Sequence, residues 1–175
     1  MNRSILITGV AGTGKSTVSD ELNALGHKAF NIEEIDGLFD MVDKRTGEPF
    51  EDFDFNDLEL VKRLDWLCDK EKLQRLMSEN PDGVNYYCGT ASNTDDLLPL
   101  FNKVFLLTVD DVILHERLRT RISNDFGRTP EIQQWVSSWR KPYENHLVEE
   151  GAILIDASRL LSEVVRDIIE RSTSI

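Results

Sequence analysis

The run Gly9-Val10-Ala11-Gly12-Thr13-Gly14-Lys15-Ser16 meets the pattern GxxxxGK[ST] in full. Each residue type in it has a physical task. Gly9, Gly12 and Gly14 allow backbone angles closed to other residues, so that amide N–H groups turn inward around phosphate oxygens. A helix starting at Lys15 aims its positive end at the same anion. The Lys15 ammonium reaches the β- and γ-phosphates, the Ser16 hydroxyl ligates Mg2+, and Thr17 touches the α-phosphate. The chemistry indicated is binding of a nucleoside triphosphate, ATP with Mg2+, at one loop.

Two further groups of charged residues suit phosphoryl chemistry. Arg117 and Arg121 stand four apart and share one face of an expected helix, and Arg128 follows in a polar segment around Gly127. Fixed cations near a migrating phosphoryl group stabilise the charge spread over its oxygens. Glu33, Glu34 and Asp36 cluster in one acidic stretch. The polar run Thr90, Ser92 and Asn93, after Gly89, either binds acceptor hydroxyls or caps a helix. The segment 43–49, with Lys44 and Arg45, reads as an exposed turn rather than a clamp for an anionic acceptor. Asp110 closes an apolar run and imitates a metal-binding acid, but it reads as a helix N-cap.

Positioning these groups requires an alternation of strands and helices. Ile5-Leu6-Ile7 is a first strand, Lys15 to Leu25 a helix stopped by Gly26, and Lys28 to Ile32 a weaker strand. The stretch from Glu33 to Asp57 reads as loop and short helix, and Leu58 to Glu79 as one or two helices. Val84 to Cys88, Lys103 to Val109 and Ala152 to Ile155 supply three more strands. Helices are expected from Asp110 to about Ile122, after Thr129-Pro130, and at the C-terminal end.

The 175 residues fit a single domain, 40% hydrophobic and 30% charged. A net charge of −12 argues against nucleic-acid and anionic membrane partners. No apolar stretch approaches a membrane span, and Ile5-Leu6-Ile7 is too short for a signal peptide, so a cytoplasmic protein is expected. Cys68 and Cys88 form neither a CxxC pair nor a metal cluster, and Cys88 reads as a small buried hydrophobe.

On these residues the chain resembles the small P-loop kinases of the adenylate, shikimate and gluconate kinase-like group. The resemblance is carried by Ile5 to Leu25, by Leu106-Leu107-Thr108-Val109-Asp110 with Glu116-Arg117-Leu118 and Arg121, and by Gly151-Ala152-Ile153-Leu154-Ile155-Asp156-Ala157. The stretches Ile32-Glu33-Glu34-Ile35-Asp36-Gly37-Leu38-Phe39 and Cys88-Gly89-Thr90-Ala91-Ser92-Asn93 are similar to bacterial kinase-like proteins of unassigned substrate. The resemblance implies an α/β three-layer P-loop NTPase fold: a five-stranded parallel sheet in order 2-3-1-4-5, helices on both faces, a lid at about 123–130 and a substrate-binding region at about 33–80. It also implies transfer of the γ-phosphoryl of Mg·ATP to a small-molecule acceptor, a nucleoside, nucleotide or sugar acid. Arg121 and Arg128 become the transition-state arginines, with Arg117 third. Glu33, Glu34 and Asp36 become acceptor-side acids: Glu34 or Asp36 holds the hydroxyl, and the other acts through metal-bound water. The Ala157 loop passes the adenine.

The resemblance is incomplete at the third strand. It ends in Cys88-Gly89-Thr90 where many P-loop enzymes place an Asp, so the metal-side acid must come from elsewhere. The alternative is a nucleotide-binding ATPase or switch without a small-molecule acceptor. A GTPase is disfavoured because Asn102-Lys103-Val104-Phe105 lacks the final acid of a guanine reader, and an AAA-type motor calls for more chain.

Overall fold

The computed structural model describes residues 3–51, 54–122 and 125–173. β1 (Arg3–Thr8) is the centre of a five-stranded sheet. It pairs in parallel with β5 (Val84–Cys88) on one side and β6 (Lys103–Thr108) on the other. β2 (Lys28–Asn31) flanks β5, and β7 (Ile153–Asp156) flanks β6, also in parallel. Counting only the strands of this sheet, the order is the expected 2-3-1-4-5.

Both faces of the sheet are covered, which is why its central strands read as continuous apolar runs. Ile5, Ile7, Tyr86, Cys88, Phe105 and Leu107 face a core shared with α1 (Lys15–Ala24), α5 (Asp111–Thr120) and α7 (Leu161–Thr173). The opposite face places Tyr87 with α3 (Lys70–Glu79) and α4 (Thr94–Leu97), and Leu106 with the end of α6 (Pro130–Glu149). The caps follow the sequence: Asp110 accepts from the N–H of Ile113 at 2.8 Å, and Thr129 accepts from that of Ile132 ahead of Pro130.

The region 33–80 departs from expectation. In place of loop and helix it holds a second sheet, β3 (Phe39–Asp43) antiparallel to β4 (Leu64–Cys68). The expected helical stretch 58–79 is split into α2 (Leu58–Arg63), β4 and α3. Leu58, Val61 and Leu64 have helical spacing, but β4 gains a partner strand in β3. Its other edge binds the loop after β5: Ser92 N donates to Trp66 O at 2.7 Å, and Trp66 N donates to Ser92 Oγ at 3.0 Å. Asp57 and Asp69, each accepting from a backbone N–H three residues on, mark two separate helix starts. A smaller correction is that α5 ends at Thr120, since Arg121 is extended.

Candidate active site

The loop between β1 and α1 closes tightly on itself. A Cβ on Gly9 would lie 2.6 Å from Leu107 O and 2.7 Å from Thr13 Oγ1. Gly14, at φ 102°, turns the chain into α1 in a region that other residues avoid. Thr13 is buried and braces the loop, its hydroxyl donating to Val10 O at 2.9 Å. Lys15 is 8% exposed; its ammonium donates to Gly9 O at 2.9 Å and Val10 O at 3.4 Å. Ser16 and Thr17 present exposed side chains on the first turn of α1.

A carboxylate meets Lys15 from outside the loop. Glu33, in the 3-10 turn Ile32–Glu34 after β2, places Oε1 3.6 Å from Lys15 Nζ. The same oxygen accepts from Thr90 N at 2.9 Å. Parallel register explains the meeting: Asn31 stands beside Cys88, so two residues further Glu33 comes level with Thr90. Gly89 makes room for it, because a Cβ there would lie 2.5 Å from Ile32 Cγ1 and 3.2 Å from Glu33 Cγ. The acid absent from the end of the third sheet strand thus has a counterpart on the strand beside it. Glu34 and Asp36 are exposed and are not brought to Lys15.

The arginines take three different stations. Arg117 donates to Thr13 O at 3.3 Å and to Ala157 O at 2.9 Å, tying the phosphate loop to the loop after β7. Burial lowers the pKa of Arg121; nearby Glu33 opposes the shift and Arg128 adds to it. Arg128 is exposed, donates to Arg121 O at 3.1 Å and pairs with Asp125 at 2.8 Å. Residues 123 and 124 of the expected lid lie outside the described residues. The rest of that segment is held by Gln133, which donates to Gly127 O at 2.8 Å, and by an edge contact between Phe126 and Phe55.

Asn93 stands at the N-cap position of α4 without a side-chain cap bond; its Oδ1 accepts from Cys68 N and its Nδ2 donates to Cys68 O, both at 3.0 Å. Asn93 and Ser92 therefore anchor β4. Thr90, whose amide binds Glu33, places its hydroxyl 3.2 Å from Tyr143 OH. Tyr143 ends a half-buried aromatic ladder on α6, with Trp135, Trp139 and Tyr143 in successive edge contacts at 5.6 and 5.8 Å. The tryptophan stripe is visible in the sequence, but its junction with Thr90 is not. Burial pushes the Cys88 thiol up to about 12, in keeping with a packing role rather than a nucleophile.

Among the described residues no group of three His, Cys, Asp or Glu side chains is arranged to hold a metal ion. An exposed Ser16 hydroxyl beside a loop that already holds one cation suits a metal brought in with a phosphate chain. No helix among the described residues is long and apolar enough to cross a membrane.

Solved structures share this architecture along nearly the whole chain. Deoxyadenosine kinase from M. mycoides with bound dATP aligns with a TM-score of 0.59 and 18% identity, covering 98% of this chain and 100% of its own. A gluconokinase from Sinorhizobium meliloti aligns at 0.52 and 18%, covering 97% and 91%. Shikimate kinase from Aquifex aeolicus aligns at 0.51 and 17%, covering 96% and 94%. At such identities the likeness establishes the small P-loop kinase fold. No curated protein sequence matches the chain. The family model described as AAA domain matches residues 5–135, more than half of the 175 residues, and the chain belongs to that family.

Proposed function

We propose that this protein is an ATP-dependent phosphotransferase that moves the γ-phosphoryl of Mg·ATP to a hydroxyl of a small-molecule acceptor. The observation that carries the reading is the meeting of Lys15 and the Thr90 amide on one carboxylate, Glu33. Such a group stands at the seam between phosphate loop and acceptor side, where a carboxylate orients and deprotonates an attacking hydroxyl. A nucleotide-binding neighbour, the deoxyadenosine kinase with bound dATP, supports the triphosphate assignment.

Gly9, Ala11, Gly12, Thr13 and Gly14 would hold the phosphates, and Ser16 the Mg2+. The metal would supply charge neutralisation along the phosphate chain. Lys15 exchanges the Gly9 and Val10 carbonyls for phosphate oxygens, which frees Glu33 for the acceptor. The acceptor oxygen bonds to the γ-phosphorus, the bond from that phosphorus to its bridging oxygen breaks, and ADP leaves with the electron pair. The hydroxyl proton passes to Glu33 and then to water. Arg121 and Arg128 neutralise charge on the transferred group. Arg117 and the Ala157 backbone border the nucleotide, and Gly89 and Thr90 border the acceptor. The chain acts as a single domain in the cytoplasm.

The test is transfer of label from γ-labelled ATP into a metabolite pool, with Lys15→Ala as control. Labelled product that Lys15→Ala abolishes supports the reading, and its absence from wild-type reactions that bind Mg·ATP overturns it. The second reading is an ATPase or switch that binds nucleotide and acts on a protein partner without a small-molecule acceptor. That reading requires free phosphate released only when the partner is present.

A further inference from the structure

Glu33 has to keep its aim when its charged partner leaves. Once Lys15 turns to phosphate oxygens, the Thr90 amide, 2.9 Å from Oε1, is the hydrogen bond that still orients the carboxylate among the described residues. Bonds to an ionised carboxylate are short and directional, and they weaken steeply as the angle drifts. The placement of Thr90 therefore sets the placement of the base.

Thr90 is held from two sides. The residue before it is fixed to the sheet, with Gly89 N donating to Ile7 O at 3.0 Å. Its own side chain is tied to α6, since the hydroxyls of Thr90 and Tyr143 share a hydrogen bond at 3.2 Å. Hydroxyl and amide belong to one β-branched residue with few side-chain rotamers, so fixing the first restrains the second.

Tyr143 stands on an anchored turn of α6. Arg140, 8% exposed, donates to Val109 O at 2.6 Å and pairs with Asp111 at 2.9 Å. Glu144, 3% exposed, accepts from the Thr108 hydroxyl at 3.1 Å. These bonds pin the helix to the end of β6 on either side of Tyr143. The Tyr143 ring is braced by the edge of Trp139 at 5.8 Å. Pro142, inside α6 and directly before Tyr143, has no N–H to give to the Ser138 carbonyl. A proline at such a place is costly to a helix, and here it adjoins the tyrosine that reaches the loop of the proposed base.

We propose that Tyr143 is a positioning residue for phosphoryl transfer. Its hydroxyl holds Thr90 so that the Thr90 amide keeps Glu33 aimed at the acceptor hydroxyl after Lys15 has turned to the nucleotide; this rests on the phosphotransferase reading above. Tyr143 acts through Thr90 and moves no proton. A packing role would need only its ring, which meets Trp139, whereas the positioning role needs its hydroxyl.

The test compares the full chain with Tyr143→Phe, which keeps the ring and removes the hydroxyl, by two readouts. The first is a pH titration, by NMR with Mg·ADP present, of the Thr90 backbone amide in isotope-labelled protein. In wild type the amide shift should follow ionisation of Glu33, and Glu33→Gln should abolish that dependence. The charges that face Glu33, on Lys15 and Arg121, are the same in Tyr143→Phe, so a smaller amplitude at Thr90 reports a displaced pair of amide and carboxylate. The second readout is the rate of label transfer from γ-labelled ATP into the metabolite pool. Tyr143→Phe and Thr90→Val should each slow it by about tenfold, the worth of one hydrogen bond, with Mg·ATP affinity unchanged. Thr90→Ser should recover part of what Thr90→Val loses. Added to Glu33→Gln, Tyr143→Phe should cost nothing further, whereas a merely structural role would slow both backgrounds alike. An unaltered Thr90 titration in Tyr143→Phe, or an equal loss on top of Glu33→Gln, overturns the inference. A diminished Thr90 titration beside a wild type that labels no metabolite overturns the phosphotransferase reading instead and leaves Tyr143 as the residue that places Glu33.

Discussion

At the residue scale the site turns on which acid stands beside Lys15. Three carboxylates lie within four positions of one another, and spacing alone does not separate them. Parallel pairing of β2 with β5 does, because it brings Glu33 level with Thr90 and leaves Glu34 and Asp36 in solvent. Glu33→Gln keeps an acceptor oxygen for the Thr90 amide but removes the base and the partner charge of Lys15. Its single-turnover transfer rate should fall by about 10²- to 10⁴-fold, the usual contribution of a positioned general base. Glu34→Gln and Asp36→Asn should stay within a few-fold of wild type in the same assay. Equal losses for all three would remove Glu33 from the role given to it. The phosphate loop needed no such help, since its glycines, Lys15 and Ser16 are constrained by local backbone geometry and are readable as a contiguous string.

At the element scale two junctions hold the segments around Glu33 and the second sheet in place. The first is the close passage of the Ile32–Glu34 turn over Gly89. Gly89→Ala would drive a methyl group into Ile32, which is 1% exposed and packed in the core. The expected loss is about 1–3 kcal/mol, measured by denaturant unfolding, together with reduced transfer as Glu33 is displaced. The second is the pairing of Asp43, at the end of β3, with Arg63, at the end of α2. The Arg63 guanidinium, helped by the Arg45 backbone N–H, holds the Asp43 carboxyl down at about 2 against an ordinary 3.8. A depressed carboxylate stabilises the fold above its unfolded value, and that contribution disappears as pH falls through the folded one. Stability should therefore decline between pH 4 and 2 more steeply in wild type than in Asp43→Asn; parallel acid-unfolding curves would refute the pairing as a clamp. The β3–β4 sheet itself was not legible in the sequence. Leu58, Val61 and Leu64 carry a helical period, and the strand prevails only because β3 and the Ser92–Asn93 loop supply partners for both of its edges.

At the scale of the whole molecule, nucleotide binding must be visible as global stabilisation. A ligand that binds only the folded state at about one hundred times its dissociation constant adds about 2.7 kcal/mol. Mg·ATP should raise the melting temperature by several degrees, and Lys15→Ala should remove most of that rise; a melting curve indifferent to Mg·ATP would defeat the nucleotide assignment. The sequence by itself determined the phosphate loop, the five parallel strands and the helix caps at Asp110 and Thr129, because each depends on contacts a few residues apart or on burial of a whole strand on both faces. Tertiary structure alone decided the partner of Lys15, the engagement of Asn93 with Cys68, and the stacking of Phe39 on Trp66 in the second sheet. Those contacts join segments up to 57 residues apart along the chain. Their geometry is set by strand register and packing, which no local pattern of residues encodes.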